Sequence, residues 1–195
     1  MEICVIGVGH VGLVTGACLA EIGHRVIGVD EDKAKITTLQ AGGMPFYEPH
    51  LEPLVRQQRA AGRLHFSTDV AEGISGANII FICVGTPALP NGEADLAAVE
   101  RVARRIAETA TTDKLVVEKS TVPVQTGRWI ERTLAVYNGG LAKCDVASNP
   151  EFLREGSAVQ DFLHPDRIVV GVGNARAEEL LRALYAPIVD GDFRC

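Results

Sequence analysis

Residues 3–6 form a short apolar run that leads directly into Gly7-Val8-Gly9-His10-Val11-Gly12, and a helical apolar pattern starts at once over 11–22. This succession of strand, glycine loop and helix constrains the fold more than any other feature of the chain. Gly7 can make the tight turn, Gly9 lets a backbone approach a diphosphate, and Gly12 allows the helix to pack closely on the strand. The open N–H groups and positive dipole end of that helix would face the ligand. The next apolar run, 25–29, ends at Asp30, 23 residues after Gly7. A carboxylate there accepts the ribose hydroxyls and repels a 2′-phosphate, so the pattern points to NAD rather than NADP. The plain alternative is a tight βα turn, with Asp30 serving only to cap the next helix.

The rest of the chain continues the alternation. Strands are expected at 3–6, 25–29, 64–67, 78–84, 115–118, 145–148 and 167–172, and helices at 11–22, 32–40, 51–61, 96–109, 126–137 and 175–185. Several strands are apolar on successive residues, which requires burial on both faces, as in a parallel sheet covered by helices. In the 96–109 segment, Leu96, Val99, Val102, Ala103 and Ile106 share one helical stripe opposite Glu100, Arg101, Arg104, Arg105 and Glu108. Right-handed crossovers then give one α/β domain, a doubly wound, mostly parallel Rossmann sheet in three αβα layers. The expected strand order is 3-2-1-4-5-6, with a late strand near Val169.

Composition narrows the function. With 19 basic and 25 acidic residues the net charge is −6, which argues against a non-specific grip on nucleic acid or anionic membrane. The longest apolar run, 79–84, is far below the roughly 18 residues of a membrane span. Cys4, Cys18, Cys83, Cys144 and Cys195 lack the close spacing of zinc ligands, so no metal is expected. Cys4, Cys18 and Cys83 read as small buried residues. A reduced, cytoplasmic setting fits these thiols.

The middle of the chain carries more specific motifs. Phe46-Tyr47-Glu48-Pro49, Phe81-Ile82-Cys83-Val84-Gly85-Thr86-Pro87, Asn91-Gly92-Glu93-Ala94-Asp95-Leu96 and Glu118-Lys119-Ser120-Thr121-Val122-Pro123 resemble the nucleotide-sugar 6-dehydrogenases. Ser148-Asn149-Pro150-Glu151-Phe152-Leu153-Arg154-Glu155-Gly156, followed by Asp161-Phe162 and Pro165-Asp166-Arg167-Ile168-Val169, resembles the members acting on UDP-glucose. Three residues depart from the pattern: His10 where an aromatic is frequent, and His50 and Gln125 where glycine is common.

The resemblance implies oxidation of the sugar C6 alcohol to a carboxylate in two hydride transfers to NAD, through a cysteine thiohemiacetal and thioester. It assigns Thr121 and Glu151 to holding and deprotonating the hydrolytic water. It places Gly7, Gly9, His10, Val11, Gly12, Asp30, Lys35, Thr86, Ser120, Thr121 and Glu155 against the dinucleotide. It places Glu151, Phe152, Leu153, Arg154 and Glu155 along the UDP-sugar. Each has a bland counterpart: Thr121 could start a turn, Glu151 could sit in the first turn of a helix, Lys35 could be a solvated helix charge, and Tyr47 and Glu48 could merely order a loop.

The family's glycine-rich cysteine motif and substrate-side lysine are not found in this sequence. Residues 1–195 are therefore expected to be an N-terminal NAD-binding domain, with a central helix, a UDP-sugar domain and most of a homodimer interface lying outside. Such a domain alone would bind NAD without turning over UDP-glucose. The competing expectations are the same chemistry on GDP-mannose or a UDP-N-acetylhexosamine, and a non-catalytic dinucleotide-binding module.

Overall fold

The computed structural model describes residues 1–189, so Cys195 lies outside the described residues. Its seven-stranded sheet has the order β3-β2-β1-β4-β5-β6-β7. The strands are β1 (Glu2–Ile6), β2 (Arg25–Val29), β3 (Leu64–Ser67), β4 (Ile79–Ile82), β5 (Lys114–Glu118), β6 (Cys144–Ser148) and β7 (Gly171–Val172). The first six pair in parallel, and β7 joins β6 antiparallel. The doubly wound order expected from the sequence is present. The last strand is a correction: of 167–172, only two residues enter the ladder. The Val169 carbonyl instead accepts the Asn149 side-chain amide at 2.9 Å.

Eight α-helices are described: α1 (His10–Glu21), α2 (Lys33–Gln40), α3 (Leu51–Ala60), α4 (Val70–Gly76), α5 (Ala97–Thr109), α6 (Thr126–Tyr137), α7 (Ala158–Leu163) and α8 (Ala175–Tyr185). Two of them, α4 and α7, were not expected. In α4, Asp69 accepts the Ala71 and Glu72 N–H groups as an N-cap. At its far end the buried Lys114 ammonium donates to the Ala77 carbonyl at 2.6 Å, placing a cation at a helix C-terminus. Asp32 caps α2, the role the sequence left open for Asp30.

Alternation along each strand divides the core into two layers. Ile3, Val5, Ile79, Phe81, Leu115 and Val117 pack with α1, α3, α7 and α8, while Cys4, Ile6, Ile80, Ile82 and Val116 pack with α4, α5 and α6. Every residue of β4 is fully buried, as a central parallel strand requires. α1 is buried over its whole length from Gly12 to Ala20 because it lies between the sheet and α3 and α7. Its glycines permit that depth: a Cβ on Gly16 would already touch Val26 and Val5 of the sheet. No helix among the described residues is long and apolar enough to cross a membrane.

Candidate functional site

β1 is flanked by β2 on one side and β4 on the other, so successive connections leave it in opposite directions. The crevice beyond the carboxyl ends of these strands is where an open α/β sheet receives its ligand. A cleft of about 520 Å³ lies there, lined by Gly7, Gly9, Asp30, Glu31, Lys35, Cys83, Val84 and Gly85, among others.

The three loop glycines are held by different demands. Gly7 has φ +95°, donates its N–H to Val29 O at 2.7 Å, and would place a Cβ 2.6 Å from the Cys83 carbonyl oxygen. A Cβ on Gly12 would overlap the Gly7 carbonyl oxygen. Gly9 differs, since a Cβ there would meet nothing within 4 Å. It is also the N-cap of α1 and offers no side chain to the open N–H groups. Leu13 is the first residue whose N–H finds a helical acceptor, the Gly9 carbonyl at 2.9 Å. The N–H groups of His10, Val11 and Gly12 therefore form an uncapped positive terminus at the cleft, with no acidic residue in that first turn.

Asp30 accepts the Val8 N–H at 2.9 Å, the Asp32 N–H at 3.0 Å and the Lys35 ammonium at 2.8 Å. Burial alone would raise its pKa, but these donors, Lys35 foremost, hold it below the usual carboxylate value. Three of about four acceptor directions are occupied, which leaves one for an incoming hydroxyl. Asp30 thus also braces the phosphate loop.

Thr86, Ser120 and Thr121 stand beyond Val84 and Gly85 at the ends of β4 and β5. The Thr86 hydroxyl donates to Thr121 O at 2.8 Å and the Ser120 hydroxyl to Val84 O at 2.8 Å. Both protons are spent on joining the two loops, so toward a ligand these hydroxyls can only accept. Thr121 is exposed.

The 149–156 segment forms a second wall. Glu151 accepts the Leu153 N–H at 2.8 Å and borders a small cavity of about 40 Å³ with Lys119, Asn149 and Tyr185. Lys119 is buried. Its ammonium lies 3.3 Å from Asn149 Oδ1 and 5.9 Å from the Phe162 ring centroid, and burial lowers its pKa. Phe152 is half exposed beneath the Arg167 guanidinium, 5.2 Å from the ring centroid, and Leu153 packs against the larger core layer. Glu155 is exposed.

Two of the expected residues have side chains bound to protein partners. The His10 ring turns to Glu48, with Nε2 2.8 Å from Oε2, and to Phe46, so its side chain is not part of the cleft lining. Arg154 is committed to Asp161: Nη2 donates to Oδ1 at 2.6 Å, and its backbone N–H to Oδ2 at 2.9 Å. That pairing holds the Asp161 carboxyl far below its ordinary value, while most of the Arg154 side chain stays exposed.

Glu48, expected at most to order a loop, joins three regions of the chain. It is buried and accepts the Gly156 N–H at 2.9 Å, the Ala158 N–H at 3.0 Å and the His10 ring. Burial pushes its pKa up, and the bonds from Gly156, His10 and Ala158 more than reverse that. Glu48→Gln replaces one accepting oxygen with a donor that faces another donor. It is expected to destabilise the chain by about 2 kcal/mol in urea unfolding; an unchanged midpoint would refute this role. His50, where a glycine was the common residue, is in the left-handed region at φ +67° at the start of α3.

Sequence reasoning passed over Lys119, Asn149 and Tyr185, although Lys119 and Asn149 lie inside quoted motifs. A charged pair closing the apolar strand Leu115-Val116-Val117-Glu118-Lys119 was a usable signal.

Residues 1–189 match the NAD binding domain of the UDP-glucose/GDP-mannose dehydrogenase family. The chain belongs to that family. It is 47% identical over 195 residues to UDP-glucose 6-dehydrogenase of Pseudomonas aeruginosa, an alignment covering 97% of this chain and 42% of that protein. It is 46% identical to UDP-glucose 6-dehydrogenase YwqF of Bacillus subtilis, covering 100% of this chain and 45% of that protein. Among solved structures, a UDP-glucose dehydrogenase from Pyrobaculum islandicum superposes with a TM-score of 0.93 at 42% identity, over 96% of this chain and 44% of that one. GDP-mannose dehydrogenase from Pseudomonas aeruginosa superposes with a TM-score of 0.92 at 36% identity, over the same shares. The chain thus spans less than half the length of the relatives it matches. The cofactor of this family domain is NAD, and the uncapped α1 terminus, the open space over Gly9 and the ionised Asp30 fit it.

Proposed function

We propose that this chain is the cofactor half of a UDP-glucose 6-dehydrogenase, which oxidises UDP-glucose to UDP-glucuronate. The observation that carries the reading is the cleft itself. An uncapped helix terminus and an ionised carboxylate stand at the two points where a dinucleotide presents its diphosphate and its ribose diol. The choice of UDP-glucose rests on relatives of that name at 46–47% identity. The likeness to a GDP-mannose dehydrogenase supports that sugar as a second reading.

NAD supplies the hydride acceptor when bound. The chain's own residues bind and orient. The N–H groups of His10, Val11 and Gly12 hold the diphosphate, Gly9 keeps the approach open, and Asp30, steadied by Lys35, takes the ribose. Thr86 and Ser120 keep the β4 and β5 loops together so that Thr121 faces the reacting end. Glu151, on the opposite wall, accepts a proton from water oriented by Thr121. Phe152, Leu153 and Glu155 line the sugar side. On its own the chain binds NAD and leaves UDP-glucose unchanged.

Calorimetric titration tests this. NADH is expected to bind one per chain, and NADPH at least about tenfold more weakly, because its 2′-phosphate meets the Asp30 charge. Asp30→Asn is expected to shrink that ratio. Equal affinity for the two cofactors would discard the assignment of Asp30, and no binding of either would discard the reading as a whole.

A further inference from the structure

The cleft wall opposite Asp30 is built by α5, through Ala98, Arg101, Val102 and Arg105. The basic residues of this helix are treated unequally. Arg104 bonds Glu100 at 2.6 Å and lies over the Tyr137 ring, and Arg105 is 3.9 Å from Glu108. Arg101 has no ion-pair or hydrogen-bond partner among the described residues. The sequence explains why. Its helical neighbours one turn away are Ala97, Ala98, Arg104 and Arg105, so the helix offers it no carboxylate. An unpaired guanidinium on the rim of a cleft is available to a ligand.

The ligand's course fixes what it would meet. With the diphosphate on the α1 terminus and the ribose on Asp30, the attached base must continue away from α1, into the part of the cleft bounded by Val70, Ala98 and Val102. Those side chains are apolar and suit a flat heteroaromatic ring. We propose that Arg101 lays its guanidinium plane on the adenine and thereby sets the affinity for the adenosine half of the cofactor. The inference rests on the NAD reading above. It names a residue that no motif of the chain marks. A guanidinium can cover an aromatic face while staying hydrated at its edge, which an ammonium of equal charge does less well.

The test is calorimetry with NADH and with ADP on the wild-type chain, Arg101→Ala and Arg101→Lys. Arg101 is exposed, so the three proteins are expected to melt together. Arg101→Ala is expected to weaken NADH and ADP by the same factor, on the order of tenfold. Arg101→Lys is expected to recover little of that loss. Undiminished ADP binding by the alanine variant would overturn the proposal, as would full recovery with lysine, which would reduce the effect to charge alone. If the wild-type chain bound neither ligand, the cofactor reading itself would fall, an outcome distinct from a failure of Arg101.

Discussion

Replacing Gly12 with alanine is expected to destabilise the chain by roughly 4 kcal/mol or more, leaving little folded protein at ambient temperature. The added methyl would overlap the Gly7 carbonyl oxygen, which is backbone and cannot swing aside. α1 is buried along its length, so it cannot shift outward without opening the larger core layer. Gly9→Ala, three residues earlier, is expected to melt like the wild type, because its methyl would enter open space. That space is where the diphosphate must approach, so the same variant is expected to lose about tenfold or more in NADH affinity. Urea unfolding and calorimetry on the two variants separate a glycine needed for folding from one needed for the ligand. If both variants lost stability equally, the division of labour described for this loop would be wrong.

The second large effect is in pH. Raising the pH from about 5 to about 8 is expected to weaken the fold by about 2.5 kcal/mol through Glu118 alone. Glu118 closes β5 and is buried. Its Oε1 accepts the Ser120 N–H at 2.7 Å, while Oε2 has no partner among the described residues. Burial is the main cause that pushes its carboxyl from the ordinary 4.5 up to about 7, against the opposing bonds from Ser120. Between those two values the folded chain keeps a proton that the unfolded chain has released. The stabilisation is therefore full below about 4.5 and disappears as the pH rises through about 7. Glu118→Gln, neutral at every pH, is expected to flatten this slope when unfolding is followed at both ends of the range. Asp30 and Glu48, whose pKa values are lowered, act in the opposite window and lose their contribution in acid. A wild-type slope that survives in Glu118→Gln would rule out this carboxyl as its source.

What could be read from the sequence was what local rules encode. The sheet order follows from period, and the phosphate loop from its glycines, of which Gly7 and Gly12 are denied a Cβ by near neighbours. Asp30 was legible by its spacing, and its bond to Val8 shows why the spacing matters. α4 was missed although Asp69 and Glu72 carry a capping pattern, because seven residues are too few to display a period. α7 had no local signal. The Ser157 hydroxyl donates to Asp161 at 2.9 Å and caps none of the helix N–H groups, and the acceptor for the first of them, Ala158, is Glu48 from 110 residues earlier. The partner of Arg154 was equally hidden, because α7 had to form before Asp161, seven positions on, could meet it. Side-chain partners set by tertiary closure were hidden from the sequence. Those set by the turn they occupy were not.

The position of β1 has a consequence for synthesis. Of the seven strands described, the one made earliest must end in the middle of the sheet, between β2 and β4. Its second neighbour is not translated until residue 82. At ordinary elongation rates, Ile3 to Ile6 therefore emerge from the ribosome and wait roughly 4 to 16 s with one edge unmatched and apolar side chains on both sides. A nascent chain of this topology is exposed to capture by chaperones, or by its neighbours on a polysome, before its centre can close.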